Sequence, residues 1–441
     1  MASDGLAIDV RSDFGAKGDG TTDDTTAIQS AFNFAALTGR TVLFPDGDYL
    51  IMSGLTINQA AAFTVNGSRS GVVGSYANKG GAWLRWGSVS AGTIVTLTGC
   101  ENVTWQGVGF HGNNLADGML IQSSAGNSPV STVHAYRDFS IYRCVNGIYI
   151  NKAADGSESD QMIFESVRMN EIVTAGVVAN SVNVTTVVFE RCTTIMASSN
   201  DNVISYDLRE CSMVKIVDCN GGYGQDFVRL GYYAQGVTID NSQSEGSTNA
   251  NRAFLRVGAS GDTGLNDTTV IRNCIPDNAV ILAGPTRKIL SLANTWHASS
   301  SISITASDAR FLSYAEVLPS GISVTGTNAM LRQIDTDNVN GGTTPTLATG
   351  TGSTAMSVTG NTFRGQVTFT TAANLAADSE AVAVVPNPSL GTGTLVTLTP
   401  ANAAAAAAGA YVGNIASSQW GLNLHTPPAV ATVLTFNYSA G

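Results

Sequence analysis

A chain of 441 residues that is 43% hydrophobic, only 12% charged and holds 47 glycines exceeds the size at which one core keeps growing, which favours an elongated repeat over a single globule. Its formal net charge of −11 and the lack of any Lys/Arg cluster exclude a nucleic-acid partner, because phosphate binding needs a basic patch. No apolar run approaches the length of a membrane span, so no membrane insertion is expected.

The start, MASDGLAIDV, lacks the basic and apolar regions of a secretory signal, which points to synthesis in a cytosol. From about Asp24 to Leu37 the apolar residues Ala27, Ile28, Ala31, Phe32 and Ala35 recur at helical spacing, with Asp23 or Asp24 as N-cap and Gly39 as the stop. Thr41 to Phe44 then reads as the first strand and Pro45 to Asp48 as a turn. A helix placed before a stack of strands covers an end that would otherwise invite edge-to-edge association.

The string from Phe14 to Gly20 (FGAKGDG), then Asp23-Asp24-Thr25, Ala27-Ile28-Gln29, Val42-Leu43-Phe44-Pro45, Gly47 and Tyr49 resembles the N-terminal signature of pectate-lyase-superfamily β-helices. That signature is common in bacteriophage tailspikes and covers about the first fifty residues. The resemblance implies an all-β chain: a right-handed parallel β-helix with a short capping helix. It carries no catalytic group.

Between residues 100 and 300 six-residue segments can be laid over one another, beginning at Val103, Phe139, Gln161, Val187, Val214, Val237 and Thr269. Their third place is large and apolar, and their sixth is Val108, Cys144, Ser166, Cys192, Cys219, Ser242 and Cys274, the mark of a solenoid coil. About eleven coils are expected. The six cysteines contain no C-x-x-C pair, so buried free thiols are expected and no metal site or cofactor. Beyond residue 341 the only charged residues are Arg364, Asp378 and Glu380, and alternating runs separated by Pro and Gly predict an antiparallel β-sandwich, with one helical turn at Ala403 to Ala408. The expected domains are therefore 1–40, an N-terminal segment and cap; 41–341, the β-helix; and 342–441, a sandwich that trimerises, since the resembling tailspikes are homotrimers.

Glycoside hydrolysis needs two carboxylates facing one bond. The fourth place of the repeat faces outward and holds Glu190, Val217, Asp240 and Arg272; Glu245 and Asp277 lie just past their corners, and Asp226 precedes a second strand. Asp226, Asp240 and Glu245 are the candidate catalytic residues. Arg229 and Arg256 should stack on neighbouring coils and hold an acidic sugar, with Glu190, Asp277, Tyr232, Tyr233 and Trp296 as further binding residues, the aromatics by stacking on sugar rings. Ladder charges of this kind are otherwise solvated surface. The four histidines have no metal-like spacing, and no polygalacturonase-type motif follows the cap. The chain is thus expected to be a tailspike carried on the virion tail, made in the host cytoplasm and acting outside the host cell, partnered by a host cell-surface polysaccharide, by itself as a trimer and by a tail or baseplate adaptor. Hydrolysis is favoured over elimination; the alternatives are a receptor-binding fibre without catalysis and a cellular polysaccharide lyase.

Overall fold

The computed structural model describes residues 7–334, apart from 69–70, 74, 125–130, 152–158, 196–201, 246–251, 259–265, 285, 298, 307–308, 315, 320 and 326–328. Beyond these it describes 348–349, 353–360, 364–371, 379–386, 396–408, 410–416, 419–424 and 433–440. Up to Ile334 the strands pair in parallel, apart from one antiparallel pair of short strands, Gly71–Val73 and Ser75–Gly80, and wind as a right-handed β-helix. A 10-stranded sheet, from Asp19–Asp23 to Ile275–Pro276, forms the first face. A 23-stranded sheet supplies the other two, because strands such as Ala175–Glu190 and Asp226–Gln235 run across the shallow corner between them. The second face runs from Leu55–Asn58 to Gly321–Val324 and the third from Ala7–Asp9 to Met330–Ile334. Thr41–Phe44 is therefore not the first strand: Ala7–Asp9 lies beside it in register, Ile8 opposite Val42.

Period-two alternation sends one set of side chains inward as continuous ladders. On the third face these are Trp105, Tyr136, Phe164, Phe189, Ile216, Ile239 and Ile271, with Tyr136, Phe164 and Phe189 stacked face to face at 4.6 and 4.9 Å between centroids. After each outward residue at the end of a third-face strand comes one residue with positive φ: Asp138, Ser166, Arg191, Asp218, Asn241, Asn273, Ala293. Each turns the chain and donates its N–H to a carbonyl of the next coil, as Asp218 does to Asp240 at 3.1 Å and Asn241 to Arg272 at 3.1 Å. The following side chain points inward and bonds back two residues: the Cys219 thiol to the Val217 carbonyl at 3.2 Å, the Ser242 hydroxyl to Asp240 at 2.8 Å, the Cys274 thiol to Arg272 at 3.1 Å.

The true ladder at this corner is Val108, Phe139, Val167, Cys192, Cys219, Ser242, Cys274 and Asn294, so Val108 stands as expected and the expected membership of Cys144 and Ser166 is corrected. Ser166 is itself the turn residue, one place early. Cys144 makes the same back-bond, to Tyr142, but at the corner between the first and second faces. Cys100 repeats it at a third place, after Gly99. A local motif recurs at every corner, and only pairing tells the corners apart. All six cysteines are buried and free, and burial pushes the Cys211 and Cys274 thiols up to about 12.

The helix, Thr25–Thr38, buries Ile28, Ala31, Phe32 and Ala35 on the open end of the coil and stops at Gly39, whose φ is 69°. Phe32 meets Phe44, Phe63 and Trp105 edge-on at 5.7 to 6.2 Å. Gln29 extends the sheet: its amide accepts from the Thr56 N–H and donates to the Thr56 carbonyl, both at 2.8 Å, so the edge strand is paired. Asp24 occupies the N-cap position, yet its side chain does not cap the helix. It is 1% exposed and accepts from Lys17 N at 2.6 Å and Gly18 N at 2.9 Å, pinning the glycine-rich loop. Asp23 instead bonds Thr25 N.

The C-terminal part consists of two four-stranded antiparallel sheets, with Arg364–Thr371 and Val433–Ala440 at the centre of one and Ser379–Pro386 and Gln419–Leu424 at the centre of the other. The alanine tract Ala403–Ala408 is a short helix started by Asn402, whose side chain accepts from Ala405 N at 2.7 Å.

Two outcomes are expected. Asp24→Ala leaves two loop amides without an acceptor and should cost about 3 kcal/mol, read as a lower midpoint in denaturant. The six thiols should be inert to an aromatic disulfide reagent in the native protein and react fully once it is denatured; rapid native labelling would contradict the burial of the ladder.

Candidate functional site

The charged side chains divide between faces. On the second face Asp207, Arg229 and Arg256 occupy one outward column on successive coils, so the expected arginine stack is present. Asp226 lies beneath both arginines and is 1% exposed. Arg256 Nε donates to its two oxygens at 3.0 Å, while Arg229 donates from Nε at 2.8 Å and from Nη2 at 2.7 Å. Gln225 accepts a further bond from Arg229 at 3.0 Å. One coil earlier Arg209 pairs with Asp207 at 2.8 Å, and Asp207 is 4% exposed. A buried carboxylate is stable only when paired and hydrogen-bonded, and Asp226 has four such contacts. That arrangement suits holding guanidinium groups and leaves little scope for proton transfer.

At the corner where the first face meets the second, a cleft is lined by Tyr223, Asp226, Glu245, Arg252 and Asn278, with Gly221 and Ser244 towards the coil interior. Glu245 is exposed, lies in register with Gly222, and accepts from Asn220 Nδ2 at 3.1 Å. Tyr223 follows Gly222 in a turn with φ of 62° and is 43% exposed. Tyr223 and Glu245 are the exposed members of this lining, whereas Arg252 is 5% exposed.

The remaining candidates lie elsewhere. Asp240 is on the third face, paired with Arg272 at 2.6 Å and Asn273 at 3.2 Å; it does not join Asp226 and Glu245. Glu190 lies in the same outward column, bonded to Arg191, which also holds Glu165, itself 3.1 Å from Arg137. Such exposed rows are worth little individually. Asp277 pairs with His297 at 3.2 Å. Tyr233 is 40% exposed, seven residues along the strand from Asp226. The Tyr232 side chain lies outside the described residues. Trp296 packs against the core and Phe311. Arg209, Arg252 and Asn278 escaped the sequence reading, although Asp207-Leu-Arg209 shows an acid and a base on one face of a strand one coil before Arg229, with Asp207 in the Arg229 column.

A second outward cluster on the first face joins Asp48 to Arg85 at 3.0 Å and Arg143 to Glu171 at 2.6 Å, with His111 and Tyr142 buried between them at 5.2 Å. Burial pulls His111 down to about 4, and does the same to His134, whose Nδ1 accepts from Val103 N inside the coil. Among the described residues no group of three or more His, Cys, Asp or Glu could hold a metal ion, and no helix is long and apolar enough to cross a membrane.

Residues 7–224 match the family model described as rhamnogalacturonase A/epimerase, pectate lyase-like. Comparison with curated proteins gives no match. Among solved structures, the gp42 tailspike of Acinetobacter phage vb_AbaP_AS12 is similar at 11% identity and a TM-score of 0.50, covering 97% of this chain and 84% of that one. The tailspike gp49 of Acinetobacter baumannii bacteriophage Fri1, a capsular polysaccharide depolymerase, gives 12%, 0.46, 99% and 86%. Endo-xylogalacturonan hydrolase from Aspergillus tubingensis gives 14%, 0.45, 74% and 91%.

The histidines set a pH dependence. The native state takes up these two protons only near pH 4, whereas unfolded histidine does so at about 6.5. Stability should therefore be level above about 6.5 and fall towards about 4, by up to roughly 1.4 kcal/mol per pH unit for each histidine. Melting temperatures measured across this range test it, and a flat profile would count against two buried neutral rings.

Proposed function

We propose that the chain is a bacteriophage tailspike that binds a host surface polysaccharide along the second face and cuts it at the corner cleft. The observation that carries this reading is the cleft itself: an exposed tyrosine and carboxylate beside a pair of arginines held by Asp226, on a pectate-lyase-like coil. The fold shared with tailspikes supports the virion setting, with a homotrimer, an adaptor on the tail and action outside the host cell as its corollaries. The domain division proposed with it is a cap to residue 40, a polysaccharide-binding coil to 341 and a trimerising sandwich to 441.

Of the three candidate carboxylates, Glu245 has the exposure and position to act as general acid on a glycosidic oxygen. Asp226 serves the arginines, and Asp240 would act only on a separate chain segment crossing the third face. A second reading, binding without cleavage, is favoured by one observation: no second carboxylate with unoccupied oxygens lines the cleft among the described residues.

Incubation with purified capsule or lipopolysaccharide from candidate hosts separates these readings. New reducing ends without the ultraviolet absorbance of unsaturated uronates mean hydrolysis, and both signals together mean elimination. Glu245→Gln is expected to lower turnover by about a hundredfold or more with binding retained. Tight binding with neither signal in the parent protein would establish the second reading, and full activity in Glu245→Gln would remove this residue from the mechanism.

A further inference from the structure

Resting on the reading that a sugar lies at the corner cleft, we infer that Ser244 is a specificity-determining residue, whose buried hydroxyl bonds an unsubstituted hydroxyl group of that sugar. The inward column of the first face is apolar through Tyr49, Leu84, Phe110, Ile141 and Met169, and then becomes Thr194, Gly221, Ser244 and Pro276. The change falls where the column reaches the cleft, since Gly221 and Ser244 belong to its lining.

The two hydroxyls of this column differ in their bonding. Thr194 Oγ1 donates to Ser205 Oγ at 2.6 Å, inside the coil. Ser244 is 6% exposed, and its Oγ has no hydrogen-bond partner among the described residues. A buried hydroxyl left unpaired destabilises a fold, and the apolar members of the same column pack into the core without one. The Ser244 hydroxyl therefore serves a group that enters the cleft. The wall beside it is fixed: a side chain at Gly221 would meet the Phe227 ring at 2.3 Å, so the glycine lets that ring lie against the strand. Phe227 is held in turn between Tyr206 and Phe254, at 5.5 and 5.3 Å between ring centroids. The cleft has room for about one water-sized group, so the sugar ring lies over it and a single substituent enters. A hydroxyl fits that space, whereas an acetyl ester or a carboxyl group is larger. A site built to bond a hydroxyl rejects a sugar that lacks it, because the buried partner is then left unpaired.

The test uses the full chain, Ser244→Ala and Ser244→Cys, with the purified capsule or lipopolysaccharide that the parent protein binds in the incubation described above. Both variants remove the hydroxyl, and the second keeps a side chain of similar shape with only a weak donor. Each should bind about tenfold more weakly than the parent. The free variants should melt at or above the parent's temperature, since an unpaired buried polar group has been removed. A residue that only supports the coil, or that holds a structural water, would instead lower the melting temperature and leave affinity unchanged, and that result overturns the inference. Parent-like affinity in Ser244→Cys overturns it as well, because filled volume would then be the requirement. Either result leaves polysaccharide binding standing, whereas binding of no polysaccharide by the parent protein overturns both readings.

Discussion

The structure depends on the corner at the end of each third-face strand. One residue there takes positive φ, which costs little for Asn or Asp and more for Arg or Ala, and recovers the loss by donating its N–H to the next coil. The residue after it sends its side chain into the coil, where it must fill space, as Phe139 and Val167 do, and can also bond back to a carbonyl, as Cys192, Cys219, Ser242 and Cys274 do. Cys and Ser meet both demands, and this is the physical reason for a thiol ladder in a chain with no disulfide and no metal cluster among its described residues.

Fixing the corner fixes the register, and the register decides which charges meet. Arg137, Glu165, Glu190, Asp240 and Arg272 stand in one outward column of the third face, where neighbours of opposite sign cancel. The second face differs. There two arginines share one buried carboxylate, and a tyrosine, a glutamate and an asparagine open a cleft beside them.

The N-terminal cap solves a different problem with the same economy. Asp24 is spent on the loop that precedes the helix, and the Gln29 side chain takes the place of a missing strand against Thr56. The glycine-rich signature is thus a structural device: its amides face a buried carboxylate, and its residues complete the closed end of the coil.

The sequence by itself determined the coil, the capping helix, the antiparallel end and the burial of the thiols, because each rests on local periodicity, turn chemistry or composition that neighbouring residues carry together. It also placed Arg229 beside Arg256, since both sit at like positions in consecutive strands. It could not assign Cys144 to its corner, because the same turn-and-back-bond motif occurs at several corners and differs only in what it pairs with. Nor could it separate Asp240 from Asp226 and Glu245: fourteen residues apart and five residues apart in the chain, they are divided by a corner that sends them to different faces. Only the tertiary structure decided that Asp226 lies buried under two arginines while Glu245 lines an open cleft, because burial of an outward carboxylate is set by the side chains of the coils on either side, which local sequence does not contain.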